Sequence, residues 1–444
     1  MKIIVNIFLA TSFLSSCSSS QSTIIVKNTT SNTFKPKNVK IYAQTSKNTL
    51  GPCEPSICID PTNTNNIVAG SVINYTHISN DGGATWSTKE LTSKYGVWGD
   101  PSIVSDKKGN FYYFHLSDPD GINWKSEKIL DRIVMQKSYN KGTSWSGGTT
   151  IGLNKPKQQD KQWATINPKT NDLYTTWTEF DKYGSDNIND KSRILFSKSL
   201  DQGNTWSTPV PISTHEGDCL DDDNTTEGAT PTSDGKNIYA SWSFDNKIWF
   251  NKSTDNGDKW MKKALPIATQ KAGWSFIIPG VNRANGFPIT SVDVSKSKYK
   301  GTIYVNWSDQ NTPNNTDVFI SKSTNKGISW SKQKIVHKEK NDTHQFFNWM
   351  TIDPKTGYIY IVYYNQIKKN DYLLNVELAV SKDGAQTFKN YIISENSFDP
   401  RGTNFFGDYN NIDAKNGIIR PIWTQAENGL VSIWTALINE SDLN

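Results

Sequence analysis

The octapeptide Ser199-Leu200-Asp201-Gln202-Gly203-Asn204-Thr205-Trp206 constrains this chain more than any other stretch, because it recurs. Related copies run from Ser79 to Trp86, Ser138 to Trp145 (Asn140 in the Asp place), Ser253 to Trp260 and Ser323 to Trp330 (Asn325 in the Asp place). A weaker copy, Ser381 to Phe388, has Ala385 in the Gly place and Phe388 in the Trp place. An Asp two residues after a Ser accepts N–H bonds within its own turn, and Gly supplies a positive φ without a Cβ clash. The Trp brings a large apolar surface that must be buried. The closing aromatics, at 86, 145, 206, 260, 330 and 388, are spaced by 59, 61, 54, 70 and 58 residues. That period suits one four-stranded blade plus its loops.

A second motif lies upstream of each octapeptide. It reads NFYYFHLSD (110–118), DLYTTWTEF (172–180), NIYASWSFD (237–245), TIYVNWSDQ (302–310) and YIYIVYYNQ (358–366), with NIVAGSVIN (66–74) as a plainer copy. Alternation of period two marks these as strands. A seventh copy, GIIRPIWTQ (417–425), has no octapeptide after it. The expectation is an all-β chain, a β-propeller of four-stranded antiparallel blades, seven favoured and six the alternative. The early segment Asn38–Ala43 alternates as a strand, and as the outer strand of the last blade it closes the ring and leaves no bare edge. The octapeptides, between third and fourth strands, then lie on the face opposite the starts of the innermost strands.

The octapeptides resemble Asp boxes, or BNR repeats, and the array from about residue 50 to the end is similar to bacterial sialidase-like (neuraminidase-like) propellers. The resemblance implies that the boxes are structural turns on the face away from an active site. It also implies three arginines clamping a substrate carboxylate, a Tyr/Glu pair and an Asp. This chain departs from that pattern in its seven blades and its arginines. Only Arg132, Arg193, Arg283, Arg401 and Arg420 are present, whereas the family carries its first clamp arginine before the first box. The expectation is therefore a glycoside hydrolase of sialidase-like architecture rather than a strict exo-sialidase, with a non-catalytic glycan- or protein-binding propeller as the alternative.

Residues 1–17, MKIIVNIFLATSFLSSC, place Lys2 before an apolar run of signal-peptide length. Leu14-Ser15-Ser16-Cys17 resembles a bacterial lipobox, which makes Cys17 the lipidated residue. Residues 18–47 read as a polar tether and 48–444 as a single propeller domain. The expected location is the cell envelope, lipid-anchored, as a monomer. Net charge is +5 without charge runs, so no nucleic-acid footprint is visible and the expected partner is a glycan. An exported chain permits a disulfide, Cys53–Cys219 being the favoured pair and three free thiols the alternative.

What precedes each innermost strand gives the candidate chemistry. Glu54, Asp100, Asp160, Glu227 and Asp408 fall there, with Asp118, Glu179, Asp181, Asp245 and Asp309 at the second-strand ends. Paired carboxyls serve glycosidic cleavage as acid and base or nucleophile. Glu227 is the first candidate for a raised pKa, because it follows the acidic loop 218–226, and Asp100, Asp160, Asp408 and Glu54 are its candidate ionised partners. Arg283, Arg401, Trp98, Trp163 and Phe406 are candidate substrate contacts. No cofactor is required by this reading, although the oxygen-rich Asp221, Asp222 and Asp223 offer Ca²⁺ ligands.

Overall fold

The six octapeptides form one turn repeated six times. The computed structural model describes residues 34–338 and 342–443. In each turn the Ser Oγ accepts the N–H four residues on, at 2.8–2.9 Å. The Asp or Asn Oδ1 likewise accepts the N–H four residues beyond itself, at 2.9–3.0 Å. Two successive residues turn left-handed, such as Gln202 (φ 59°) and Gly203 (φ 78°). Ala385 adopts the same conformation at φ 62° despite its Cβ.

These turns sit between the third and fourth strands of six four-stranded antiparallel sheets, and a seventh sheet completes the ring. The innermost strands are Ser56–Ile59, Ser102–Ser105, Gln158–Ile166, Glu227–Ser233, Ile289–Val292, Gln345–Ile352 and Asn411–Lys415. The second strands Phe111–Leu116, Leu173–Phe180 and Ile359–Gln366 are buried along their whole length. Their alternation therefore separates two buried faces, each packed on a neighbouring blade, rather than core from solvent. Several buried tyrosines have partnered hydroxyls, as Tyr112 does by donating to Asp106 Oδ2 at 3.0 Å, whereas the Tyr360 hydroxyl is buried without a partner. The octapeptide Trp side chains wedge between blades. Trp206 meets Phe114 of the preceding blade edge-on at 5.7 Å, and Trp260 meets Phe196 at 5.0 Å.

The ring closes through the N-terminal strand Lys37–Ala43, which pairs antiparallel with Leu430–Asn439 of the seventh blade. Arg420, buried in that blade, donates from Nε to the Gly82 carbonyl at 2.7 Å and so ties it to the first octapeptide turn. Among the described residues no helix is long and apolar enough to cross a membrane. The 1–17 leader and Cys17 lie outside the described residues.

Antiparallel order puts the octapeptide turns on one face and the starts of the innermost strands on the other. On the latter face a short hairpin, Ser275–Ile278 and Val281–Asn285, is inserted between the fourth and fifth blades. It accounts for the long 70-residue spacing between Trp260 and Trp330. The Cys53–Cys219 bridge is not formed: Cys53, Cys58 and Cys219 are all free thiols. Cys53 lies just ahead of the first blade, whereas Cys219 bridges to Ser185 in an outer loop of the third, which separates the two sulfurs.

Candidate functional site

The innermost strands begin irregularly, and the irregularity aims side chains at the axis. Register shifts fall between Asp160 and Trp163, Glu227 and Thr230, and Phe346 and Trp349. A bulge of this kind turns a side chain out of the pleat. Lys161 (φ 52°), Gly228 (φ 76°) and Phe347 (φ 52°) occupy the bulges in left-handed geometry. Glu54 (φ 50°) and Asp100 (φ 49°) adopt it ahead of blades one and two. Non-glycine residues held there cost about 1–3 kcal/mol each, and such strain gathers at functional sites.

Six carboxyl groups and two cations meet in the resulting funnel. Lys161 Nζ lies 3.0 Å from Asp408 Oδ2 and 3.4 Å from Asp100 Oδ2. Arg283, carried in by the inserted hairpin, places Nε 3.1 Å from Asp408 Oδ1 and Nη1 3.1 Å from Asp221 Oδ2. Tyr183 donates to the same Asp221 oxygen at 2.5 Å, and the Asp408 N–H donates to Glu54 Oε1 at 3.0 Å. Asp160 Oδ1 accepts the Lys161 N–H at 2.7 Å. Glu227 is fully buried, and neither of its carboxyl oxygens has a hydrogen-bond partner.

Two cations cannot neutralise six buried carboxylates, so some of the carboxyls keep their protons. Burial, reinforced by Asp221 and Asp160, pushes Glu227 well above the usual carboxylate range. Glu54 is raised well above it by burial and Asp100, and Asp160 is raised to about 7, chiefly by burial. Asp221 is raised by burial too, partly offset by Arg283 and Lys161. Asp408 goes the other way: burial opposes its charge, but Arg283 and Lys161 outweigh burial and hold it below the ordinary range. Lys161 stays charged, because Asp100, Asp408 and Asp160 together exceed its desolvation. One funnel thus contains a protonated acid and an ionised carboxylate.

An aromatic layer floors the funnel. Trp163 packs on Trp349 at 5.7 Å and Tyr409 at 5.8 Å, and Trp274 on Phe287 at 4.9 Å. Trp163 and Trp349 also border a cavity of about 240 Å³ in the axial channel, lined by hydroxyls such as Ser102, Thr230 and Thr290.

The structure brings Glu54, Asp100, Asp160, Glu227, Asp408, Arg283 and Trp163 to this funnel and its floor. It leaves three expected contacts elsewhere. Arg401 is exposed, bound to Asp399 and lying 3.9 Å above the Tyr372 ring. Phe406 is core, 5.3 Å from Tyr364. Trp98 packs on the second blade's core and edge-on to Trp124 at 6.2 Å. Of the acidic loop, Asp221 faces Arg283 and Tyr183, Asp222 accepts the Asn224 N–H, and Asp223 accepts the Ser275 N–H at 2.7 Å. Among the described residues no group of three or more His, Cys, Asp or Glu side chains is arranged to hold a metal.

The second-strand carboxylates serve the scaffold. Glu179 and Asp181 are held by Arg193 and Lys157, Asp245 pairs with Lys247, and Asp309 caps the N–H groups of Lys271 and Ala272. Arg132 is taken by Asp131. Arg283 is therefore the one arginine among the described residues that reaches the cluster. Sequence reasoning misses Lys161 and Tyr183, and it assigns Asp221 to a cation rather than to Arg283.

No family model matches the chain, and no curated protein matches it. Solved structures do. A GH74 xyloglucanase from Xanthomonas campestris aligns at 12% identity over 92% of this chain and 54% of that one, TM-score 0.52. A PL25 ulvan lyase aligns at 13% identity over 91% of this chain and 96% of that one, TM-score 0.51. A Hadza microbial sialidase aligns at 13% identity over 86% and 75%, TM-score 0.46. At these identities the likeness to the first two shows the fold alone, the β-propeller whose seven blades are the seven four-stranded sheets described above.

Proposed function

We propose that this protein is a glycan-cleaving propeller, a glycoside hydrolase of sialidase-like architecture that works through the carboxyls of the funnel. The observation that carries the reading is Glu227, fully buried with both carboxyl oxygens unpartnered, in the same funnel as Asp408, which is paired with Lys161 and Arg283. Cleavage of a glycosidic bond needs that division of labour: an acid to protonate the leaving oxygen and a carboxylate to meet positive charge at the sugar. Glu227 is the acid and Asp408 the carboxylate. Asp160, titrating near neutrality, is suited to exchange a proton with water. Lys161 and Arg283 hold Asp408 ionised and in place. The xyloglucanase and the ulvan lyase, similar in fold, are named for polysaccharides, in keeping with a glycan substrate.

A single arginine at the cluster argues against the three-arginine carboxylate clamp, so exo-sialidase activity is not part of the proposal. The octapeptides, on the opposite face, act as Asp boxes that stiffen the blades. The leader and Cys17 put the enzyme outside the cytoplasm on a lipid anchor, and Cys17→Ala should move it from the membrane fraction to the soluble one.

The complete burial of Glu227 favours one other reading, a propeller that holds a glycan without turnover. Release of new reducing ends from a panel of neutral and acidic polysaccharides decides between them. Their appearance supports the hydrolase. Retention of a polysaccharide on a column without such release supports the binding propeller.

A further inference from the structure

Beside the funnel, on the same face, lies a cleft of about 1030 Å³. Its walls are the loop 117–132 of the second blade, which contains the 3₁₀ turn Asn123–Lys125, the crossing 155–158, and the loop 181–191 of the third blade. Trp124 stands 52% exposed in it and Ile122 48% exposed. The Trp124 ring lies 5.1 Å from that of Tyr183. Tyr183 joins the cleft to the cluster, since its ring lines the cleft while its hydroxyl donates to Asp221.

The cleft's charges are unevenly paired. Asp120, Asp131 and Asp181 are each neutralised, by Lys128, Arg132 and Arg193, while Glu127 and Asp190 also line the cleft and form no ion pair among the described residues. Lys125, Lys155 and Lys182 line it as well, also without an ion pair among the described residues: three unpaired ammonium groups against two unpaired carboxylates. An exposed indole beside a second ring is a platform for the apolar face of a sugar, and unpaired ammonium groups along it attract negative charge. The volume lies at the upper end for ligand sites and suits an oligosaccharide better than one sugar.

We propose that this cleft is a chain-binding subsite for an anionic polysaccharide, with Trp124 stacking on a sugar and Lys125, Lys155 and Lys182 facing its carboxylate or sulfate groups. The proposal rests on the glycan reading of the funnel and deepens it: the cleft holds the sugars flanking the bond at Glu227, so attack falls within a chain. The test is affinity electrophoresis of the full chain in gels holding polygalacturonate, chondroitin sulfate or neutral dextran. It compares wild type, Trp124→Ala and the triple variant Lys125→Ser/Lys155→Ser/Lys182→Ser, with melting temperatures checked.

Wild type should be retarded by at least one anionic polymer and not by dextran, and each variant should bind at least 10-fold more weakly. Polygalacturonate distinguishes carboxylate recognition from the sulfate recognition that chondroitin sulfate alone would report. Unchanged affinity in both variants, equal retardation by dextran, or no retardation by any polymer overturns the proposal. A protein that binds through Trp124 yet releases no reducing ends sinks the hydrolase and leaves the subsite standing. One that cleaves a polysaccharide with KM unchanged by Trp124→Ala does the reverse.

Discussion

Arg283 Nε stands 3.1 Å from Asp408 Oδ1, so a hairpin inserted between two blades supplies the charge that keeps a seventh-blade carboxylate ionised. Arg283→Ala leaves Asp408 and Asp221 without that partner. Breaking a fully buried pair costs about 3–5 kcal/mol, but the Arg283 side chain is 35% exposed and solvent screens part of the loss. The expected cost is about 1–3 kcal/mol by thermal unfolding. Arg283→Lys should rescue little, because one ammonium cannot reproduce the fork onto both carboxylates.

The octapeptide turns rank their own substitutions. Ser199 is buried, and its Oγ both accepts the Gly203 N–H and donates to Asp201 Oδ1 at 2.8 Å. Ser199→Ala strands a buried donor and should cost about 1–3 kcal/mol. Asp201→Ala, at a half-buried carboxylate, should cost less. Trp206 is half-buried, so Trp206→Ala should fall below the about 3–5 kcal/mol of a fully buried Trp. Gly203→Ala would put a Cβ at φ 78° against the flexible end of Met135 of the preceding blade, which must shift, but Ala385 holds the same place in the sixth turn, so the variant should still fold. Melting temperatures of the set check the order.

Ring closure gives a third prediction. Removing residues 1–43 bares the edge of Leu430–Asn439 and abolishes the Tyr42–Tyr75 ring contact at 4.7 Å. The truncated chain should melt on the order of 10 °C lower and associate through that edge, as light scattering would show.

How far the sequence discloses all this varies with how local the cause is. Six turn signatures reveal the blade period because each rests on hydrogen bonds within a few residues, and the strand signatures add the blade that lacks a turn; the closing strand follows instead from the need to cover an edge, through pairing with Leu430–Asn439. Glu227 is legible too, since a carboxyl opening an innermost strand behind an acidic loop has little water left. Lys161 is not: a lysine beside an aspartate reads as solvated, and only the bulge after Asp160 turns it inward. Arg283 and Arg401 look alike in sequence, each shortly before an innermost strand. The hairpin carries one into the funnel, while Asp399 and Tyr372 keep the other outside.

The proton inventory predicts how stability depends on pH. Glu54, Asp160 and Glu227 have raised folded pKa values, so the folded chain holds protons that the unfolded chain has released. Their contribution is full below the ordinary carboxylate range and is lost as pH rises through the folded values, that of Asp160 at about 7. Asp408, with a lowered pKa, contributes above the ordinary range and loses that contribution as pH falls through its folded value. The melting temperature should therefore peak on the mildly acidic side and decline between about pH 5 and 8. Glu227→Gln should flatten the decline.

The most direct test of the account is Glu227→Gln against wild type on whichever polysaccharide yields reducing ends. Gln keeps the shape of the side chain but has no proton to give, so kcat should fall by about 10²-fold or more while KM changes little. The alkaline limb of the wild-type pH–rate profile, set by loss of the Glu227 proton, should vanish in the residual activity. A Glu227→Gln enzyme with wild-type kcat and an unchanged alkaline limb would contradict the account.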